Sequence, residues 1–252
     1  MFAELDLNAI ILAAFLAFCR IGACFMLMPG LSSARVPMHV RLFVALAVTW
    51  ALLVHLWDSL LPYVDSASDR LLMLVVSELL IGAVIGLVTR FYTLALQFAA
   101  AAVAMVGGFA GMGGAAIEEN EPQAALAALI TLSALMVLFT LDFHHEVIKA
   151  LVESYRVAPP SLLFNPQSAL IDLADTISQS FYVTLRLASP FIAYAILVNL
   201  AAGFINKLAP QIPVYFVSMP FVIAGTLTLA YFGIGMMLSL FADGFLPTTI
   251  GR

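Results

Sequence analysis

From Asn199 to Pro220 the sequence reads NLAAGFINKLAPQIPVYFVSMP, which sets two asparagines, a lysine, a glutamine and three prolines inside otherwise apolar sequence. In hydrocarbon, backbone irregularity and side-chain amides persist only where protein or a water-lined cavity satisfies them. A chain with this knot must either line a pathway or pack into something larger. The medium follows from composition: 63% of the 252 residues are hydrophobic and 10% charged, with mean hydropathy +1.09. An ordinary soluble domain carries about 25% charged residues. No hydrophilic block is long enough for a separate domain, so a single membrane domain over residues 1–252 is expected.

The net charge of -5 and the scattering of the ten basic residues argue against a nucleic-acid surface. Cys19 and Cys24 fall on one helix, about 140° apart around its axis, so no bridge within the chain is expected. Met1 to Asn8 carries Glu4 and Asp6 where a signal peptide would be basic, so the first span is expected to be retained.

Apolar runs at Ala9–Met28 and Leu42–Leu61 are each long enough to cross a bilayer, and the basic loop Leu31–Arg41 joins them. Leu71–Val106 is too long for one straight crossing. Ala124–Leu141 is apolar, Asp142–Pro160 polar and interfacial, and Leu162–Gln179 mixed. Phe181–Phe204 and Val214–Phe241 are the last two hydrophobic units, with Arg186 and Pro190 expected to interrupt the first. Counting basic residues puts the Arg35/Arg41 loop inside and the loop of Glu118, Glu119 and Glu121 outside.

Arg20, Glu78, Arg90 and Arg186 lie within apolar segments, where a charge at mid-bilayer costs about 2.5–3.5 kcal/mol even on lenient scales. They must be paired or wet, as a lined conduit, an ion relay, or pairs between helices or subunits. Glu78, Gly82 and Gly86 share a helix face, so the two glycines form a seam where another backbone can approach closely. Gly107, Gly108, Phe109, Gly111, Met112, Gly113 and Gly114 form either a packing kink or a flexible constriction. Glycine permits unusual backbone, and Phe and Met supply soft apolar bulk that can plug a pore.

His144-His145-Glu146 does not have zinc-protease spacing, and no third ligand stands near in sequence, so interfacial solvation is expected rather than a metal site. No G-x-S-x-G and no intramembrane aspartate pair is present, so neither an enzyme nor a cofactor is expected. Asn199, Gly203 and Asn206 fall at i, i+4 and i+7 on one face that runs into Pro210, Gln211 and Pro213. The asparagines call for partners across a helix interface, and the prolines break the helix into a hairpin.

Asn199–Lys207, Ala209–Ile212 and Phe216–Phe221 together resemble the signature of the FliR family of type III export gates. Arg20 with Pro29, Pro37 and Arg41, Glu78 with Gly82 and Gly86, and the block of His144, His145, Ser154, Tyr155 and Pro159 agree with it. The resemblance implies an all-α membrane protein of bent helical hairpins with broken helices, built to assemble into a helical export-gate complex. It implies FliP- and FliQ-type partners and an FlhB-type subunit, a place in the inner membrane at the flagellar basal body, and passage of unfolded flagellar subunits. Arg20, Glu78, Gly82, Gly86, Arg90, Arg186, Asn199, Gly203, Asn206, Pro210 and Gln211 are then candidate assembly and packing residues. The glycine-rich stretch is the candidate plug. A homologous subunit of a virulence injectisome is the nearest alternative. A small-solute transporter is the other, but no two related halves are visible.

Overall fold

A computed structural model describes residues 7–33, 36–63, 68–109, 124–211 and 213–250, with the side chains of 68–69 and 243–250 excepted. Seven α-helices account for almost all of them: α1 (Leu7–Leu27), α2 (Met38–Leu60), α3 (Ser68–Val106), α4 (Ala125–Thr140), α5 (Phe143–Val157), α6 (Pro166–Leu208) and α7 (Val214–Ile250). A short 3₁₀ turn, Leu61–Tyr63, follows α2. No β-strand occurs among the described residues.

Among the described residues, five helices are long and apolar enough to cross a membrane, and α4 with α5 adds a sixth if that bent pair is counted as one span. The chain is an all-α membrane protein. Its 39-residue α3 and 43-residue α6 are roughly 58 and 65 Å long at 1.5 Å per residue. A hydrocarbon core is about 30 Å thick, so both helices exceed a straight crossing by a wide margin.

Helix ends follow local chemistry. α1 stops at Pro29-Gly30, where Gly30 takes φ 84, a conformation that costs glycine nothing. Pro37 precedes α2, and Arg41 in the first turn reaches back to donate to the Ser33 and Val36 carbonyls. The segment expected to be a loop through Arg41 is therefore helical from Met38. Asn165 caps α6 by accepting from the Gln167 N–H at 3.0 Å, and Pro166 occupies the first helical position, where its missing N–H does no harm.

Pro190 does not interrupt α6, contrary to the sequence expectation; the helix runs through it. Proline removes the bond to the carbonyl four residues back, here that of Arg186. The Ser189 hydroxyl donates to that carbonyl at 3.1 Å and so replaces the lost donor, as hydroxyls do in membrane helices. The mixed segment after Leu162 likewise joins α6 from Pro166 onward.

Two compact units alternate along the chain. The first comprises Met1–Phe91, Asp142–Ile177 and Pro247–Arg252, and the second Tyr92–Leu141 and Ser178–Leu246. In the first, α1 packs on α2 and α3, and the buried face of α5 is Phe143, Val147, Leu151 and Tyr155, one residue per turn. In the second, Tyr92 donates to Gln179 at 3.2 Å and Thr184 to the Ala95 carbonyl at 2.9 Å, tying α3 to α6. α6 and α7 fold back on one another so that the Tyr194 hydroxyl donates to the Phe221 carbonyl at 2.7 Å.

Candidate functional site

The first unit closes around a charge. Arg20 and Glu78 are both 0% exposed, and the guanidinium grips the carboxylate with two bonds, Nε to Oε2 at 2.7 Å and Nη2 to Oε1 at 2.6 Å. Fork-on-carboxylate geometry is the strongest common form of this contact. Two of the three remaining donors are also used: Nη1 reaches the Ser154 hydroxyl at 3.0 Å and Nη2 the Ala158 carbonyl at 2.9 Å. The Tyr155 ring lies 3.9 Å from the guanidinium carbon, a cation–π contact. The buried Tyr155 hydroxyl is turned toward Glu78 without reaching good hydrogen-bond geometry.

Backbone approach makes the pair possible. A Cβ added at Gly82 would stand 2.0 Å from the Arg20 carbonyl oxygen, and one at Gly86 would stand 2.7 Å from that of Cys24. α3 therefore touches α1 along the glycine seam, and Glu78, one turn earlier on that face, is delivered to Arg20. Ser77 adds a further tie by accepting the Phe164 N–H at 2.8 Å. The structure thus places Arg20, Glu78, Gly82 and Gly86 together inside the chain. Arg90 is half-buried farther along α3.

The residues of the amide stripe are placed otherwise. Asn199, Gly203 and Asn206 are all exposed on α6, as are Leu200 and Phe204 beside them. Pro210 and Gln211 are exposed in the short link to α7, and Arg186 is exposed on α6. A Cβ at Gly203 would meet nothing within 4 Å. Within the apolar stretch of each span, the buried share falls from 50% in α1 to 22% in α6 and 17% in α7, so the α6–α7 hairpin presents most of its surface outward.

Of the glycine-rich stretch, Gly107, Gly108 and Phe109 are described. Gly107 lies against Thr226 of α7, where a Cβ would stand 2.5 Å from the Thr226 methyl, and Gly108 takes φ 82. Phe109 is buried at 7% exposure. Gly111, Met112, Gly113, Gly114 and the three glutamates that follow lie outside the described residues.

Sequence reasoning did not assign Ser154, Tyr155 and Ala158 to Arg20. The signal available was the fourfold spacing of Phe143, Val147, Leu151 and Tyr155, which marks a buried face of α5 and puts Ser154 at its edge. It also missed a third donor beside His144 and His145. Asp142, in a left-handed conformation at φ 56, brings its carboxylate to both imidazoles.

The sequence matches the bacterial export proteins, family 1, over residues 11–247. It is 31% identical over 229 residues to the flagellar biosynthetic protein FliR of Caulobacter vibrioides, which spans 89% of this chain and 90% of that one. The FliR of Escherichia coli is 29% identical over 223 residues, covering 88% and 81% of the two chains. That of Aquifex aeolicus is 25% identical over 209 residues, covering 81% and 78%.

Proposed function

The chain belongs to the bacterial export proteins, family 1, and from that premise we propose that it is a subunit of the flagellar protein-export gate in the inner membrane. In this reading it joins FliP- and FliQ-type subunits, with an FlhB-type subunit alongside, in the channel through which unfolded flagellar proteins leave. The observation that carries the reading is the open α6–α7 hairpin. Its amide stripe of Asn199 and Asn206 is exposed on the otherwise apolar stretch 196–206 of α6, a costly surface against lipid and a favourable one against another helix bearing hydrogen-bonding groups. Helices longer than a bilayer is thick fit a gate partly raised out of the membrane.

Within the gate, the stripe of Asn199, Gly203 and Asn206, with Arg186, Pro210 and Gln211, forms contacts to partner subunits. Gly107 and Gly108 lie against α7 and anchor the start of the glycine-rich stretch there, and the stretch as a whole serves as the constriction. The flagellar reading takes precedence over an injectisome because the relatives are flagellar proteins over nearly their whole length.

Native mass spectrometry of the tagged chain, co-expressed with its genomic neighbours and purified in mild detergent, tests the proposal. Recovery as one subunit of a fixed assembly with FliP- and FliQ-type proteins is expected, together with loss of motility in a deletion strain. Recovery alone, or as a homo-oligomer that takes up a small solute, would overturn it.

A further inference from the structure

Three donor side chains of two chemical kinds meet at the start of α5. One carboxylate oxygen of Asp142 lies 3.8 Å from His144 Nε2 and 3.6 Å from His145 Nδ1. The two imidazole centroids are 4.3 Å apart, and one ligand atom from each of the three residues lies within 4.8 Å of the others. Donors around a tetrahedral zinc, each about 2.0–2.1 Å from the ion, stand about 3.4 Å from one another. The cluster is therefore a few tenths of an ångström looser than a loaded site on its two closest edges, a gap that small side-chain rotations close.

Local structure holds the carboxylate there. Asp142 occupies the N-cap position of α5 but makes no side-chain cap bond, although an aspartate in that position ordinarily accepts from the first turn. It is also the only non-glycine residue with positive φ among the described residues, and left-handed backbone at such a residue carries a cost that the surrounding structure must offset. The next acid along, Glu146, is engaged by Lys149 at 2.7 Å. That leaves a set of two nitrogens and one oxygen.

From this cluster we infer that Asp142, His144 and His145 form a site for one divalent transition cation of the zinc class, with its remaining coordination open to water. Two imidazoles and a carboxylate suit zinc, copper and nickel, whereas calcium and magnesium take all-oxygen sets. A cation near a helix N-terminus opposes the helix dipole, so the negative charge of Asp142 is a requirement of the site and not an accessory. Asp142 and His145 are 68% and 61% exposed and His144 36%, which leaves the ion a direct path in. The competing occupant is a proton: with protonated imidazoles the same atoms form plain ion pairs. The inference is independent of the export reading.

The test uses the full-length chain in detergent, purified through a histidine-free tag and stripped with chelator, then titrated with Zn²⁺ against a chromogenic indicator. One ion per chain is expected. His144→Ala, His145→Ala and Asp142→Asn should each weaken binding by about tenfold or more, since even outer-shell changes cost ten- to a hundredfold. His39→Ala with His55→Ala, which removes the other two of the four histidines, should leave it unchanged. Co²⁺ should give intense visible bands of a low-coordinate site in the parent chain and lose them in His145→Ala. Absence of saturable Zn²⁺ binding, equal affinity in His145→Ala and Asp142→Asn, or loss of binding in the His39/His55 variant would overturn the inference.

Discussion

Gly82→Ala should undo the first unit from a distance. The new Cβ would stand 2.0 Å from the Arg20 carbonyl oxygen, and 2.8 and 2.9 Å from the carbonyl carbon and Cα of the same residue, all of it backbone that cannot swing aside. Real Cβ contacts essentially never fall under 3.0 Å, so α1 and α3 must part by about 1 Å. Carried to the ion pair, the same movement stretches bonds of 2.6 and 2.7 Å to about 3.6 Å, a length that is no longer a hydrogen bond. Overpacking alone costs about 1–3 kcal/mol, and a broken buried pair about 3–5 kcal/mol. Glu78 and Arg20 can follow one another part of the way, so a net loss of about 3 kcal/mol is expected. For a chain of this size that corresponds to about 6–12 °C in melting temperature.

Gly86→Ala, whose Cβ would meet the Cys24 carbonyl oxygen at 2.7 Å, needs a shift of only a few tenths of an ångström and should fall between Gly82→Ala and the parent. Gly203→Ala meets nothing within 4 Å and gains helix propensity worth up to about 1 kcal/mol. The assay is built into α1. Cys19 and Cys24 are the only two cysteines and both are buried, so a fluorogenic maleimide reports when α1 leaves its neighbours on heating. If Gly82→Ala reacts no earlier than the parent, or Gly203→Ala reacts as early as Gly82→Ala, the reasoning from close backbone approach fails.

Further outcomes follow from the same contacts. Glu78→Gln strands the Arg20 charge in the interior and should cost about 3–5 kcal/mol in the thiol melt, whereas the double variant Arg20→Met, Glu78→Met should be more stable than either single change; a double variant as unstable as Glu78→Gln would contradict this. Ser189→Ala should cost about 1 kcal/mol by exposing the Arg186 carbonyl, and the cost should vanish when Pro190 is also replaced by Ala and restores the backbone donor; an undiminished cost in that background refutes the replacement role. Asn199→Ala with Asn206→Ala should leave the melt of the lone chain unchanged while reducing recovery with FliP- and FliQ-type partners on co-purification; a lowered melt would place these amides in the chain's own packing. Deleting residues 107–114 should raise ion leak through the assembled gate in planar bilayers, and unchanged conductance with unchanged secretion would remove the constriction proposal.

Helix positions were legible because hydrophobic runs and proline or glycine punctuation are local signals, and the Asn199–Pro220 knot marks a break that falls where expected, between Leu208 and Val214. The continuity of α6 was not legible: proline usually ends a helix, and only the geometry shows Ser189 supplying the missing donor. The glycine seam announced a close contact, but sequence spacing gives a face and not a partner, so α1 and Arg20 could not be named as what meets it. The carboxylate of Asp142 was hidden for a related reason. Its i, i+3 spacing to His145 was a weak signal at a position before the helix, and two residues before His144 it would point away from that ring on a regular helix; in the structure it meets both from a left-handed backbone.

The placement of polar groups separates what holds the chain together from what it offers to others. A buried ion pair is weak evidence of stability, since its desolvation can cancel its attraction; what it fixes well is register. Gly82 and Gly86 set the distance between α1 and α3 but leave them free to slide, and the two-pronged grip of Arg20 on Glu78, backed by Ser154 and the Ala158 carbonyl, stops the slide. Those charges are satisfied inside the chain and need no partner subunit. Asn199 and Asn206 stand exposed near the C-terminal end of α6, among outward apolar residues that include Leu197, Leu200 and Phe204. Facing lipid, their amides would lack partners. Facing a neighbouring helix, they gain hydrogen bonds and Gly203 lets that helix come close. The amide stripe, not the buried charges, is therefore the surface on which assembly of the export gate should depend.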